Sequence, residues 1–285
     1  MNAPITTGSL FEIIKDRTSA FTQSEKKVAR AILADYPAAG LQTVAELAKD
    51  SNVSGQTVIR FVASLGFSSF PAFHARLIEE LKVRSAPPLS RHEDHQATLD
   101  RDDILGQCHK SLSQSLQETF ARLPEAEFEE AVSLICDTKR PLLSTGGRST
   151  SLLAKYLIIQ LQQMRAKTSY LSTDRVSRAH TLLELTSKSI VLIYDFRRYS
   201  DATLKFAEEA HKKNAQIILL TDPYLSPISK YARVVLPVTV DFLTPFDSQI
   251  CGMAVTETLV AAVTERLDHN IAARMKNYEH YRNIL

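Results

Sequence analysis

Cysteine is scarce in this 285-residue chain, and Cys108, Cys136 and Cys251 lie far apart in apolar helical contexts. No pair of them has metal-site spacing. An odd count without a secretory signal argues against a disulfide framework and for a reducing interior. The first residues, Met1-Asn-Ala-Pro-Ile-Thr-Thr, lack a basic stretch followed by an apolar one. No apolar run approaches the roughly 20 residues that span a bilayer. The expected location is the cytoplasm, with no membrane partner. An excess of one charge is lacking too: 34 Lys and Arg against 32 Asp and Glu leave a formal +2. That balance argues against a chain-wide polyanion binder, whereas a small DNA reader joined to a neutral partner has this balance. The cysteines and histidines form no nucleophile–base constellation. Glu257 falls on an apolar helix and His180 on an amphipathic one, where structural or solvated roles suffice. The chain is read as no enzyme, with no cofactor and no metal.

What is present is organised around Ser51 to Phe73, S-N-V-S-G-Q-T-V-I-R-F-V-A-S-L-G-F-S-S-F-P-A-F. Ser54 is an N-cap, Val58, Phe61, Val62 and Leu65 recur at helical spacing, and Gly66 stops the run. Thr43 to Lys49 forms a second short helix with Val44, Leu47 and Ala48 on one face. Two short helices joined by a tight turn make a helix-turn-helix, and the second is sized for a major groove. Ser54, Gly55, Gln56, Thr57 and Arg60 occupy its exposed start. Glutamine suits adenine and arginine suits guanine, while Ser and Thr hydroxyls bind phosphates or base edges. No acidic residue lies between Ser51 and Pro71, so DNA phosphates are not repelled. Helices are also expected over 9–20, from Thr22 to about Asp35, where Pro37 ends it, and to about Arg84. Residues 1–84 therefore read as an all-α unit of five helices.

Residues 85–100 carry Pro87, Pro88, His92 and His95 and almost nothing apolar, which describes a linker. The two histidines have no acidic or cysteine partner at ligand spacing and read as solvated. From Asp102 helices return, one carrying Ile104, Cys108, Leu112 and Leu116 and the next covering 124–137. Strands and helices then alternate. Strands are expected at 141–145, 167–171, 189–194, 216–221 and 233–238, with helices at 149–164, 175–185 and 200–213 between them. Two helices, 248–267 and 271–281, close the chain. Such alternation means a parallel sheet covered on both faces.

Open parallel sheets bind ligands beyond the C-terminal ends of their strands. Three strand ends carry suitable residues: Gly146-Gly147-Arg148-Ser149-Thr150, Asp195-Phe196-Arg197-Arg198-Tyr199-Ser200, and Thr221-Asp222-Pro223. Glycines admit close backbone approach, a helix start offers N–H groups, and Arg148, Arg197 and Arg198 add charge for phosphate or carboxylate. Asp195 is equally placed to cap the next helix or to pair with Arg197 or Arg198.

These residues resemble the RpiR family of bacterial transcription regulators, which join a helix-turn-helix to a sugar isomerase (SIS) domain. The resemblance rests on Thr22-x-Ser-Glu-Lys-Lys-Val-Ala29, Val44-x-Glu-Leu-Ala48, Val53-Ser-x-x-Thr-Val-x-Arg-Phe61 and Leu65-Gly-Phe67. It implies an all-α helix-turn-helix domain over 1–84, a linker over 85–100, and an α/β three-layer SIS domain with a five-stranded parallel sheet over 101–285. It also implies double-stranded operator DNA as partner, a phosphosugar or other anionic metabolite as effector, and a homodimer or homotetramer. The family's first loop is similar to G-x-G-x-S, and here Arg148 replaces the second glycine. The second is similar to S-x-S-G-x-T, and here Asp195, Arg197, Arg198 and Ser200 stand at the patterned positions. A carboxylate-bearing effector, a ligand-independent DNA-binding dimer and a phosphosugar isomerase with an accessory helical domain are the rival readings.

Overall fold

The computed structural model describes residues 9–34, 36–85 and 101–285. The chain divides into two compact units between Ala86 and Pro87. The expected linker, with His92 and His95, lies outside the described residues from position 86 onward.

The first unit holds α1 (Leu10–Asp16), α2 (Gln23–Ala34), α3 (Val44–Asp50), α4 (Gly55–Ser64) and α5 (Phe70–Ser85). The helix read over 9–20 is thus shorter, ending at Asp16 before a 3₁₀ turn over Thr18–Ala20. Local chemistry sets the boundaries. Thr22 and Glu25 exchange hydrogen bonds ahead of α2, and Thr43 and Glu46 do the same ahead of α3. Each box satisfies backbone N–H groups that a helix start leaves without partners. Helix α3 ends in a Schellman turn. Asn52 adopts φ 50°, its N–H donates to Lys49 O, and Val53 N–H donates to Ala48 O. Helix α4 ends the same way, with Gly66 at φ 98° and Phe67 N–H donating to Val62 O. The first of these turns sets α4 against α3. Val58, Phe61 and Val62 of α4 are buried with Leu10, Ile14, Val28, Ile32, Leu47, Phe73 and Leu77. Burial of each such side chain stabilises by about 1.5–3 kcal/mol. A buried carboxylate ties the ends of the unit together: Glu80 of α5 accepts from Leu10 N–H at 2.8 Å and from the Tyr36 hydroxyl.

The second unit opens with α6 (Ile104–Arg122) and α7 (Glu125–Cys136). There follow β1 (Leu142–Gly146), α8 (Ser151–Gln162), β2 (Thr168–Tyr170), α9 (Arg175–Glu184), β3 (Ile190–Asp195), α10 (Asp201–Lys212), β4 (Gln216–Thr221) and β5 (Val234–Pro237). All strand pairs are parallel, in the order β2-β1-β3-β4-β5. Strands β1 and β3 are buried along their whole length, so their apolar runs serve both faces. Leu142, Ile190, Leu192, Ile218 and Leu220 face a core made with α7, α8 and the last helix. Leu143, Val191, Ile193, Ile217 and Leu219 face the opposite core with α10. The result is the expected three-layer sandwich.

The C-terminus departs from expectation. Instead of two helices, one helix α11 runs over Ile250–Ile284. No glycine or proline separates Leu267 from Ile271, which lie one helical turn apart and are both buried, so the helix continues through the polar residues between them. Among the described residues no helix is long and apolar enough to cross a membrane.

Candidate functional site

The residues expected to read DNA lie on α4 and at its N-cap. Ser54 caps it, accepting from Thr57 N–H at 3.3 Å, and its hydroxyl lies 3.0 Å from the Thr57 hydroxyl. Gln56 and Arg60 are exposed. Thr57 differs from expectation. Its side chain is buried, and its Oγ1 accepts from Arg60 Nη2 at 3.5 Å. It therefore supports Ser54 and Arg60 from beneath instead of presenting itself to a base edge. The reason is spacing: Thr57 lies four residues before Phe61, on the inward stripe. Arg17 Nη1 donates to Ser64 O at 3.0 Å and steadies the far end of the helix.

In the second unit the chain leaves β1 towards β2 on one side and returns to β3 on the other. The reversal point is the β1/β3 crevice, where Gly146 pairs with Tyr194. Of the three loops singled out in the sequence, those after β1 and β3 emerge there, and the third, Thr221-Asp222-Pro223, follows β4 beside them. In the first, a Cβ on Gly146 would lie 2.8 Å from Ser151 N and from Thr150 C, so the strand meets the helix too closely for a side chain. Thr150 is buried and spent internally: its Oγ1 accepts from Gly147 N–H at 2.7 Å and donates to Tyr194 O at 2.8 Å. Arg148 and Ser149 are exposed.

In the second loop Asp195 turns inward. Its Oδ1 accepts from Ser200 N–H at 3.3 Å and its Oδ2 from the Ser226 hydroxyl at 2.5 Å. Of the two roles open to it, Asp195 takes the helix-start one, accepting from the N–H of Ser200 at the start of α10, while Arg197 pairs with other carboxylates. Burial pushes its carboxyl up to about 7; the bonds from Ser226 and Ser200 oppose this, and the nearby Asp222 carboxylate adds to it. Ser200 caps α10 through Thr203 N–H at 3.3 Å. Arg197 is also inward, against its expected role as an anion contact. Its Nη1 lies 2.8 Å from Asp241 and its Nη2 2.5 Å from Asp247, residues of the segment after β5. Arg198 is exposed and adopts φ 61°, in the left-handed region that glycine favours. The loop thus keeps a glycine-like turn at the position where the family pattern has glycine.

Arg178 went unnoticed in the sequence. It is buried beneath the crevice, with Nη2 donating to Thr203 Oγ1 at 3.2 Å and its guanidinium 5.7 Å from the centre of the Phe206 ring. The available signal was its place on the Leu182 and Leu185 face of α9, where an arginine interrupts an apolar stripe. Ser226, Asp241 and Asp247 carried no local signal. Beside this loop lies a polar cleft of about 430 Å³ between α6 and the segment after β5, lined by Lys110, Gln114, Glu118, Thr239 and Asp241 among others. Asp241 therefore faces the cleft while holding Arg197. Among the described residues no group of three or more His, Cys, Asp or Glu is placed to hold a metal ion.

Comparison with known proteins agrees with both units. Residues 8–84 match the helix-turn-helix domain of the rpiR family, and residues 134–263 match the SIS domain. The HTH-type transcriptional regulator HexR of Escherichia coli K12 is 23% identical over 262 residues, covering 90% of this chain and 89% of HexR. Among solved structures, the sugar isomerase domain of the RpiR transcription factor from Sphaerobacter thermophilus aligns with TM-score 0.58 and 21% identity, covering 62% of this chain and 98% of that one. The Vibrio vulnificus NanR protein complexed with ManNAc-6P aligns with TM-score 0.54 and 16% identity, over 97% of this chain and 99% of NanR. With the helix-turn-helix and the five-stranded SIS sheet in that order, the chain belongs to the RpiR family of transcriptional regulators.

Proposed function

We propose that this regulator binds a specific double-stranded operator through α4 and that an anionic metabolite at the SIS domain sets its operator affinity. The observation that carries the DNA half is the exposed start of α4, where Gln56 and Arg60 stand clear of the packed stripe and no carboxylate intervenes. The metabolite half rests on position. Gly147, Arg148, Ser149 and Arg198 surround the strand-order reversal, where exposed guanidinium groups suit a phosphate or carboxylate. Thr150, Asp195, Arg197 and Ser200 shape that edge from within. NanR, of the same two-part architecture, was solved with a phosphosugar. That makes a phosphosugar the first class to test, with carboxylates second. The protein acts as a binder and not as an enzyme, and as a homodimer or homotetramer. Two reading heads must sit about 34 Å apart to meet successive major grooves. A modest rotation between protomers then suffices to release DNA.

Gel-shift titration against the DNA upstream of its own gene tests the first half. Operator is expected to bind far more tightly than scrambled duplex at physiological salt, and equal affinities would refute sequence reading. Arg60→Ala is expected to cost about 1–3 kcal/mol and to relax preference at one base pair. A uniform loss over all sequences would make Arg60 a phosphate contact instead. For the second half, sugar phosphates and small carboxylates are screened by thermal shift. An effector at about a hundredfold its dissociation constant stabilises by roughly 2.7 kcal/mol. No shift with any anion would leave a ligand-independent DNA binder.

A further inference from the structure

The outward face of α4 carries one residue that neither packing nor solvation explains. Gln56, Ile59, Arg60 and Ala63 are exposed, at the i, i+3, i+4 and i+7 positions of one stripe. Val58, Phe61 and Val62 on the opposite face are at most 1% exposed, whereas Ile59 is 44% exposed. A β-branched side chain on a solvated helix face is a poorer helix former than alanine, lysine or glutamine, and it gains nothing there from burial. Its neighbours on the stripe are an amide one turn before it and a guanidinium beside it. The Ser54–Thr57–Arg60 hydrogen-bond chain holds the polar half of this surface in place. The stripe therefore offers hydrogen-bond donors and one apolar contact side by side, on a helix that itself carries no carboxylate.

Of the four bases, thymine alone presents an apolar group, its 5-methyl, in the major groove. We infer that Ile59 reads a thymine methyl, so that α4 specifies a base step containing thymine next to the base pairs contacted by Gln56 and Arg60. The inference rests on the DNA-reading role proposed above and goes further by naming a residue and the base it selects. It also explains why a strong helix former is absent from position 59. Replacing Ile59 costs the fold little, since the side chain contributes to no buried cluster.

The experiment uses the full-length protein and the tightest duplex recovered from a random pool. Each thymine is replaced in turn by deoxyuridine, which removes only the methyl group and keeps every hydrogen bond. The parent protein is expected to lose about fourfold affinity at one position in each half-site, the worth of one buried methyl. Ile59→Ala is expected to bind the thymine and uracil duplexes equally at that position. Ile59→Val, which keeps an apolar branch, is expected to retain the preference. Circular dichroism establishes that each variant is folded. If the parent shows no uracil-sensitive position, or if Ile59→Ala keeps the same uracil penalty, the inference is overturned. If no duplex is preferred over the pool, the DNA-reading proposal fails with it. Sequence-specific binding that ignores the methyl overturns the Ile59 assignment alone.

Discussion

Asp195→Asn is expected to make the SIS domain more stable than the parent above neutral pH and to flatten its stability between about pH 4 and 7. The carboxyl ionises at about 7 in the folded chain against an ordinary value of 3.8. A raised acid holds its proton in the folded state while the unfolded chain has already lost it. Its contribution is fully present below about pH 4, falls through the interval, and is lost once pH passes 7. At about 1.4 kcal/mol per unit, the whole interval is worth about 4 kcal/mol. Asparagine keeps an acceptor for Ser200 N–H and meets Ser226 with a donor, so the polar contacts survive without the buried charge. Urea titrations of parent and variant at several pH values give the difference directly. An identical slope for both proteins would place the ionisation elsewhere. Because Asp195 begins the turn into the β1/β3 crevice, the same proton is expected to alter anion affinity there. An anionic effector is expected to bind more tightly below pH 7, when the carboxyl is neutral.

The second large effect is expected from Arg197→Met. Arg197 joins the loop after β3 to the segment that leads into α11, through Asp241 and Asp247. Its two carboxylates are not equivalent, since the Asp247 side chain is 8% exposed and that of Asp241 is 60% exposed. Removing the guanidinium takes the cation from a buried anion, a change that costs about 3–5 kcal/mol. Removing the exposed partner by Asp241→Asn is expected to cost less than about 1 kcal/mol, as surface pairs do. Asp247→Asn is expected to fall nearer the arginine variant. Melting temperatures of the three proteins order them, and an Arg197→Met protein as stable as the parent would show that the pair is not structural.

Much of the architecture was legible because it is written in short-range patterns. Caps such as Thr43 with Glu46 and stops such as Gly66 announce themselves within four residues. The apolar runs at β3 and β4 announce a sheet buried on both faces, and the ends of the runs at β1 and β3 mark where the two following loops begin. What failed to show was what depends on distant partners. Arg197 looks like a free cation until Asp241 and Asp247, more than 40 positions on, fold against it. Thr150 and Ser200 look like hydroxyls offered to a ligand until their own loops use them. Arg178 reads as one more surface cation of an amphipathic helix, and only its burial against Thr203 and Phe206 of α10 sets it apart. The single α11 was split in two because polar residues between Leu267 and Ile271 interrupt the apolar stripe without interrupting the backbone.

Arg198 carries a different consequence. A side chain at φ 61° costs roughly 1–2 kcal/mol relative to glycine, and the turn nevertheless keeps the form that glycine would give it. Glycine and arginine codons differ by a single base. A turn of this kind can therefore gain or shed a cation in one genetic step while its backbone stays in place. At the crevice proposed above as an anion site, one such step changes the charge offered to a ligand without the chain having to relearn how to fold.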